Sequence, residues 1–185
     1  MLQRKRKLNR LTGYNYDNTG YYFVTICTKN RINHFGKIED KKMCLNKYGQ
    51  AVEKFWRQIP KYYNNVTINS FIIMPNHIHG IIIINDNSNA VGTEQCVETE
   101  HCSVSTICSY CSVPTIPKIG LLSKIIKSFK NVTTKYLHQN FNDYEFQWQR
   151  SFYDHIIQND KSLNAIKQYI IDNPKRWEKD RNNYD

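Results

Sequence analysis

The chain is of moderate length and strongly basic, with 185 residues and a formal net charge of +10. This length fits one domain that can bury a core without disulfides or a structural metal, and the excess of positive charge favours a nucleic-acid partner. The basic first residues are not followed by the apolar segment of a signal peptide, and the apolar run 81–84 is too short to span a bilayer. We therefore expect a cytoplasmic protein without a membrane partner, whose six cysteines are reduced.

The predicted secondary structure alternates between strands and helices within a single domain, 1–185, that begins with a basic arm at 1–20. Residues 86–118 are rich in Ser, Thr, Cys and Asn without sustained periodicity, which predicts a flexible insertion loop. The order of elements predicts an α+β fold, a ferredoxin-like antiparallel sheet with helices packed on one face. The predicted elements are a strand at 21–27, a loop or hairpin at 29–42, a helix at 45–59 that Pro60 ends, strands at 66–74 and 77–85, a helix at 119–140, a short strand at 146–150, and a helix at 162–173 that Pro174 ends.

A pair of histidines gives the sharpest local signal. His77 and His79 are two residues apart in a predicted strand, so their side chains project from the same face. Two imidazoles at this spacing can bind one divalent ion, since imidazole is the commonest metal ligand in proteins. A half-buried, hydrogen-bonded pair with a structural role would give the same pattern, so the spacing alone leaves both interpretations open.

The last predicted helix offers a candidate nucleophile and a candidate oxygen ligand. Tyr169 and Asn173 are four residues apart and therefore share one helix face. Taken alone, the pair also fits a tyrosine at the edge of a core stripe and an asparagine that ends the helix before Pro174. Tyr153, which is followed by an aspartate and a histidine, and Tyr136 on the long helix are alternative nucleophiles.

Five segments between about residue 14 and residue 177 form an ordered pattern. They are Tyr21–Thr28, Phe71–Gly80, Ser128–Lys130, Trp148–His155 and Tyr169–Pro174. Together they resemble the REP-associated tyrosine transposases, a branch of the HUH single-tyrosine transposases in the IS200-like superfamily. Each segment alone is a weak match, whereas the ordered set is specific.

The resemblance implies a ferredoxin-like fold of the HUH endonuclease type, with the tyrosine helix packed across the sheet. It implies that His77 and His79 form the metal motif, that Asn173 is the third ligand, and that the ion is Mg²⁺ or Mn²⁺. Tyr169 would be the nucleophile of a transposase that nicks single-stranded DNA through a 5′-phosphotyrosine and rejoins it to a 3′-hydroxyl. Whether the protein acts as a monomer or a homodimer stays open.

The resemblance also implies that the partner is DNA. Members of that family recognise single-stranded or hairpin DNA of the repetitive extragenic palindromic kind, with a short flanking tetranucleotide. Cations that contact phosphates would supply much of the affinity. The candidate DNA contacts, from the arm and the long helix, are Arg4, Lys5, Arg6, Lys124, Lys127 and Lys130.

Two other functions fit the same residues. A non-catalytic, RRM-like module would bind single strands through aromatic strand residues. A metal-dependent hydrolase would use a metal-bound water instead of Tyr169, although no carboxylate stands next to the histidine pair in the sequence. A zinc site in the insertion is disfavoured, because a short internal repeat explains the clustering and the spacings are irregular for Cys96, Cys102, Cys108 and Cys111.

Overall fold

The structure is a computed structural model that describes Tyr16 and residues 18–86 and 120–183. The predicted arm and insertion loop lie almost entirely outside the described residues. None of the helices in the described part combines the length and the apolar composition that crossing a bilayer requires. The elements, in chain order, are β1 Gly20–Cys27, β2 Gly36–Glu39, β3 Lys42–Leu45, α1 Lys47–Tyr62, β4 Val66–Ile73, β5 His77–Ile84, α2 Leu121–Phe141, β6 Tyr153–Ile157 and α3 Asp160–Asp172, with 3₁₀ helices at Lys29–Arg31 and Asn173–Lys179.

Four strands form one antiparallel sheet in the order β4-β5-β1-β6. In its register, Thr25 of β1 lies between His79 of β5 and Tyr153 of β6. Strands β2 and β3 form a separate hairpin, which resolves the predicted loop or hairpin. Its turn residues Asp40 and Lys41 have φ values of 48° and 61°, the left-handed conformation that a two-residue type I′ turn requires.

Helices α1 and α2 cover one face of the sheet. Alternate residues of β1 and β5, among them Val24 and Ile78, enter a large apolar core on this side together with Trp56 and Phe129. A Cβ added at Gly80 would lie 2.5 Å from Cζ2 of Trp56. Glycine at this strand position therefore permits the indole to pack directly against the sheet.

Helix α3 lies against the opposite face, which differs from the expectation that the helices share one face. The cluster on this side is small, and its buried residues are Phe23, Ile81, Ile157 and Ile170. Of the α3 residues, all of which the structure describes, Ile170 alone is buried. The predicted α+β, ferredoxin-like class is confirmed, and the placement of α3 brings Tyr169 next to His79.

Three predicted boundaries are wrong. Helix α1 continues past Pro60 to Tyr62, because a proline in the last turn removes only one helical hydrogen bond. The predicted strand at 146–150 reduces to a single bridge between Thr28 and Trp148, and the edge strand is β6. Helix α3 ends one residue before Asn173, which begins the 3₁₀ helix.

Candidate active site

Strand β5 places two imidazoles side by side on the face that α3 covers. The Nε2 atoms of His77 and His79 are 3.0 Å apart, and their ring centroids are 4.5 Å apart. Two ligands about 2.1 Å from one ion, at right angles, would be separated by about 3.0 Å. The spacing of the two nitrogens thus fits adjacent positions around one divalent ion.

Burial keeps both imidazoles uncharged near neutral pH. The exposed fractions of His77 and His79 are 0% and 2%. Desolvation holds the pKa of His77 well below its usual value, and the charge of His79 when protonated and those of nearby arginines act in the same direction. Desolvation, with a further contribution from Arg181, lowers the pKa of His79 to about 3. Metal ligation requires neutral imidazole, so both side chains are in the form that binds an ion.

The residue before the histidine pair fixes which nitrogen of His77 carries the proton. Asn76 is buried, and its Nδ2 donates to the carbonyl oxygens of Arg31 and Asn182 at 2.9 and 2.8 Å. Since both amide protons are committed, its Oδ1 accepts from Nδ1 of His77 at 2.8 Å. The lone pair of His77 therefore lies on Nε2 and faces His79.

Tyr169 reaches this site from α3. Its Oη is 3.3 Å from Nε2 of His79, and the two ring centroids are 5.3 Å apart. Burial raises the pKa of the Tyr169 hydroxyl above its usual value, although a hydrogen bond from Asn173 and the charges of Arg181 and Arg176 act in the opposite direction. The predicted tyrosine thus lies beside the predicted metal motif, half-buried and protonated at neutral pH.

Two oxygen donors, Asn173 and Asp180, line the cleft beside Tyr169. Asn173 is 1% exposed, and its Oδ1 has no hydrogen-bond partner among the described residues; an orphaned buried oxygen of this kind fits a metal ligand. Asp180 joins His77 and His79 in a group whose ligand atoms all lie within 4.8 Å of one another. A set of two imidazoles, an amide and a carboxylate fits a divalent cation.

The sequence analysis missed Asp180. It found no carboxylate next to the histidine pair, whereas the fold brings this one beside it. The carboxylate comes from the turn after the 3₁₀ helix Asn173–Lys179 rather than from a neighbour in sequence. Its Oδ1 accepts from the backbone N–H of Asn182 at 2.7 Å, and the carbonyl of Asn182 is held by Asn76. No spacing rule in the sequence predicts this return of the chain.

Positive charge surrounds the tyrosine. A cleft of about 320 Å³ is lined by Tyr169, Asn173, Asp180 and three cations, Arg176, Lys179 and Arg181. Cations at this position would attract a phosphate group towards the tyrosine hydroxyl.

The alternative tyrosines lie elsewhere. Tyr153 is on the same face of the sheet, since it pairs with Thr25, and Arg181 lies 5.9 Å from the centre of its ring. Within the described part of the chain, its hydroxyl makes no hydrogen bond with either histidine, whereas the hydroxyl of Tyr169 lies within hydrogen-bonding distance of His79. Tyr136 packs edge-on against Phe55 with ring centroids 5.1 Å apart, as a residue at the border of the core.

The predicted DNA contacts differ in their surroundings. Lys124 and Lys127 are exposed on α2 and remain predicted contacts. The Lys130 ammonium donates to the carbonyl oxygens of Gln149 and Ser151 at 2.8 and 3.1 Å, and burial lowers its pKa to about 8. Lys130 therefore braces the backbone after α2. The arm cations Arg4, Lys5 and Arg6 lie outside the described residues.

Comparison with known proteins gives matches to a family model, to a relative in sequence and to solved structures. The family model of the IS200-like transposases matches residues 113–173, a range that contains Tyr169 and Asn173. An uncharacterized protein of Haemophilus influenzae (strain ATCC 51907 / DSM 11121 / KW20 / Rd) is 35% identical over 176 residues, which cover 95% of this chain and 92% of that protein. The solved structure of a REP-associated tyrosine transposase bound to a REP hairpin has a TM-score of 0.54 at 15% identity, over 96% of this chain and 74% of that one.

These matches agree with the geometry of the site. The structural match shows that the fold is shared, and the family model covers the helix that carries the tyrosine. Over residues 113–173, a stretch that includes Tyr169 and Asn173, the chain matches the IS200-like transposase family.

Proposed function

We propose that this chain cleaves and rejoins single-stranded DNA through a covalent bond to Tyr169, with Mg²⁺ or Mn²⁺ held by His77, His79, Asn173 and Asp180. The observation that carries the proposal is the 3.3 Å distance between Oη of Tyr169 and Nε2 of His79, which is itself 3.0 Å from Nε2 of His77. A nucleophile and metal ligands thus converge in one place. Transposases act on DNA, so the bond attacked is a phosphodiester.

The proposed step exchanges one phosphate ester for another. Oη of Tyr169 attacks the scissile phosphorus, and the new P–O bond forms as the bond to the 3′-oxygen breaks. One DNA end is then a 5′-phosphotyrosine, and the other is a free 3′-hydroxyl. The tyrosine loses one proton to solvent and the leaving oxygen gains one, so the step balances without ATP. Attack by a DNA 3′-hydroxyl on the phosphotyrosine reverses it and rejoins the strands.

The residues around Tyr169 favour this chemistry in two ways. The Asn173 amide and the guanidinium groups of Arg181 and Arg176 stabilise the phenolate, in opposition to burial and to the Asp180 carboxylate, which both raise the pKa of Tyr169. The same cations and Lys179 line the cleft in which a phosphate would sit. A bound divalent ion would add positive charge that polarises the phosphate and favours ionisation of the hydroxyl.

We place the chain in the REP-associated branch and expect hairpin-bearing DNA as its substrate. The ordered sequence segments support this assignment, as does the fold shared with a REP-associated transposase that was solved with a REP hairpin. The expectation of a cytoplasmic protein is unchanged.

Asp180 gives one observation in favour of a second candidate, a metal-dependent hydrolase. Its carboxylate lies beside His77 and His79 and supplies the ligand that such an enzyme would need. The hydrolase would cleave DNA through a water molecule and would form no covalent bond to the protein. The two candidates therefore differ in whether Tyr169 becomes attached to DNA.

The test is a denaturing gel of protein mixed with end-labelled, hairpin-bearing single-stranded DNA and Mn²⁺ or Mg²⁺. We expect a metal-dependent protein–DNA adduct that Tyr169→Phe abolishes and that Tyr153→Phe, the matched control on the same face, leaves intact. Cleavage without an adduct would establish the hydrolase. An adduct that survives Tyr169→Phe would overturn the assignment of the nucleophile.

A second measurement reports the metal ligands without relying on activity. Calorimetric titration with Mn²⁺ should show one site whose affinity falls at least about 10-fold in His79→Ala and Asp180→Asn. His155→Gln, which alters an exposed histidine of β6, is the control and should bind normally. Unchanged Mn²⁺ affinity in both ligand variants would contradict the proposed centre.

A further inference from the structure

A second concave surface lies away from the tyrosine, between α2 and the irregular segment that follows it. It has a volume of about 630 Å³. We call it the α2 groove and define it by its exposed polar and aromatic wall residues, which are Asn131, Lys135, Gln139, Tyr144, Gln147, Gln149 and Arg150. The chemistry of the proposed reaction uses none of these side chains.

The α2 groove continues towards the active site. A hollow of about 370 Å³ shares the wall residues 147–150 with it and is closed on the far side by Thr28 and residues 29–31. Arg31 in that hollow hydrogen-bonds Oδ1 of Asn182 through its guanidinium. Since Asn182 closely follows Asp180 and Arg181, which line the cleft around Tyr169, the three concave surfaces follow one another along the molecule.

The α2 groove and the adjoining hollow are both cationic. Lysines and arginines line both the α2 groove and the adjoining hollow, and in the described part of the chain no aspartate or glutamate lines either surface. Lys135 and Arg150 are exposed at the groove itself. A cationic path without carboxylates fits a polyanion that leads away from the active site.

The groove also presents groups that recognise bases. The side chain of Tyr144 is 65% exposed, and its ring centroid lies 5.5 Å from that of His138. An exposed aromatic face stacks on unpaired bases. The amides of Gln147 and Gln149 are exposed beside it, and amides can hydrogen-bond base edges in both directions.

The wall that carries these groups is held rigidly. Nε1 of Trp148 donates to Oγ1 of Thr133 at 3.0 Å, and Nε2 of His138 lies 3.0 Å from the carbonyl oxygen of Phe146. The Lys130 ammonium binds two further carbonyls of the segment. A surface fixed in this way loses little conformational entropy when it binds a ligand.

We propose that the α2 groove binds unpaired nucleotides that flank the scissile phosphate, and that Tyr144 stacks on one of their bases. The inference rests on the proposed function, because it takes single-stranded DNA as the substrate. Unpaired nucleotides are favoured over the hairpin stem, because bases inside a duplex are already stacked on one another and leave no face for Tyr144. The cationic wall would then contact the phosphates of the same strand.

The test measures binding in the Tyr169→Phe background with EDTA, so that no cleavage takes place. The two ligands are a hairpin with a single-stranded extension and the same hairpin with blunt ends. We expect Tyr144→Ala to weaken binding of the extended hairpin about 10-fold and to leave the blunt hairpin unaffected. Tyr62→Ala, which removes a 77% exposed tyrosine of α1, is the matched control and should change neither.

A charge-reversal pair tests the phosphate contacts. Log affinity falls as log salt rises. For the extended hairpin, Lys135→Glu combined with Arg150→Glu should make this fall shallower by about 1.4, at about 0.7 per phosphate contact. Lys54→Glu combined with Lys61→Glu, two exposed lysines of α1, is the control.

Two results would overturn the assignment of the groove. Equal losses of affinity for both hairpins would show that the α2 groove binds the stem. Unchanged affinity in both groove variants would show that the groove does not bind DNA. Adduct formation by the unaltered chain is measured in parallel. A normal adduct with an inert groove would refute this inference alone, whereas the absence of any adduct would refute the proposed function.

Discussion

The two faces of the central sheet differ in how much they bury and in what they expose. The face under α1 and α2 carries the large core, in which Val24, Ile78 and Trp56 are fully buried. The face under α3 carries a small cluster around Ile81 and Ile170 and, beside it, the polar groups of the active site.

This difference arises from strand periodicity. Successive residues of β5 point to opposite faces, so the isoleucines at even positions stabilise the sheet while His77 and His79 at odd positions are free for chemistry. One strand therefore serves stability on one side and reactivity on the other. The four predictions below test that separation, from the largest expected change in stability to the smallest.

Replacing Trp56 should give the largest effect on stability. We expect Trp56→Ala to lower the free energy of unfolding by about 3–5 kcal/mol, because it leaves a cavity at the centre of the core. Urea denaturation measures this change. Tyr62→Ala, on the same helix but 77% exposed, should stay within about 0.5 kcal/mol of the unaltered protein. Similar losses in the two variants would contradict the assignment of the main core to this face.

Gly80→Ala should give the next largest effect. The added methyl group would lie 2.5 Å from the indole of Trp56, so overpacking should lower stability by about 1–3 kcal/mol. Combining Gly80→Ala with Trp56→Leu should restore part of the loss, because the smaller side chain leaves room for the methyl group. Strictly additive losses in this double-mutant cycle would show that the two residues do not interact.

Acid should destabilise the protein through the active-site face. The pKa of His79 is about 3 in the folded protein against the ordinary 6.5, so as pH falls the unfolded chain binds the proton first. The stability present above pH 6.5 is then lost towards pH 3, by about 1.4 kcal/mol at pH 5.5 for one imidazole. Denaturation curves in EDTA between pH 7 and about 5 measure this loss. His79→Gln should remove the share of His79 and leave that of His77, whose pKa is also lowered, while His155→Gln preserves the whole dependence. An unchanged dependence in His79→Gln would contradict the cause given.

Removing the proposed nucleophile should have the smallest effect on stability. Tyr169 is 37% exposed, so Tyr169→Phe should change the free energy of unfolding by less than about 0.5 kcal/mol. Ile170→Ala, one residue away but buried, should lower it by about 2–5 kcal/mol. Thermal denaturation of the two variants measures the contrast, and a large loss in Tyr169→Phe would indicate a structural role.

The sequence predicted the sheet wherever alternation was clear and failed where a polar residue interrupted it. Strands β1, β4 and β5 have long apolar or β-branched runs and were found nearly to the residue. Strand β6 was missed, because Asp154 occupies one of its buried positions. The neighbouring aromatics Phe146 and Trp148 have the two-residue spacing of a strand face, yet they enter the core from an irregular segment.

The candidate active site was predictable to the extent that it depends on local periodicity. A strand places His77 and His79 on one face, and a helical turn relates Tyr169 to Asn173. Asp180 depends instead on a hydrogen bond between Asn76 and Asn182, residues that are 106 positions apart. Contacts of that kind form only when the chain has folded, so no local sequence pattern predicts them.

The hydroxyl of Thr25 has a consequence for how the site accepts an ion. It lies 2.8 Å from Nδ1 of His79, and a hydroxyl can donate or accept by rotating about its C–O bond. Without an ion, the close approach of the two Nε2 atoms is favourable when His79 carries its proton on Nε2, and Thr25 then donates. If both Nε2 atoms held an ion, the neutral tautomer of His79 would carry its proton on Nδ1, and Thr25 would accept. Because its hydroxyl can rotate, Thr25 can pair with either neutral tautomer of His79, so the same hydrogen bond would orient the imidazole with or without an ion.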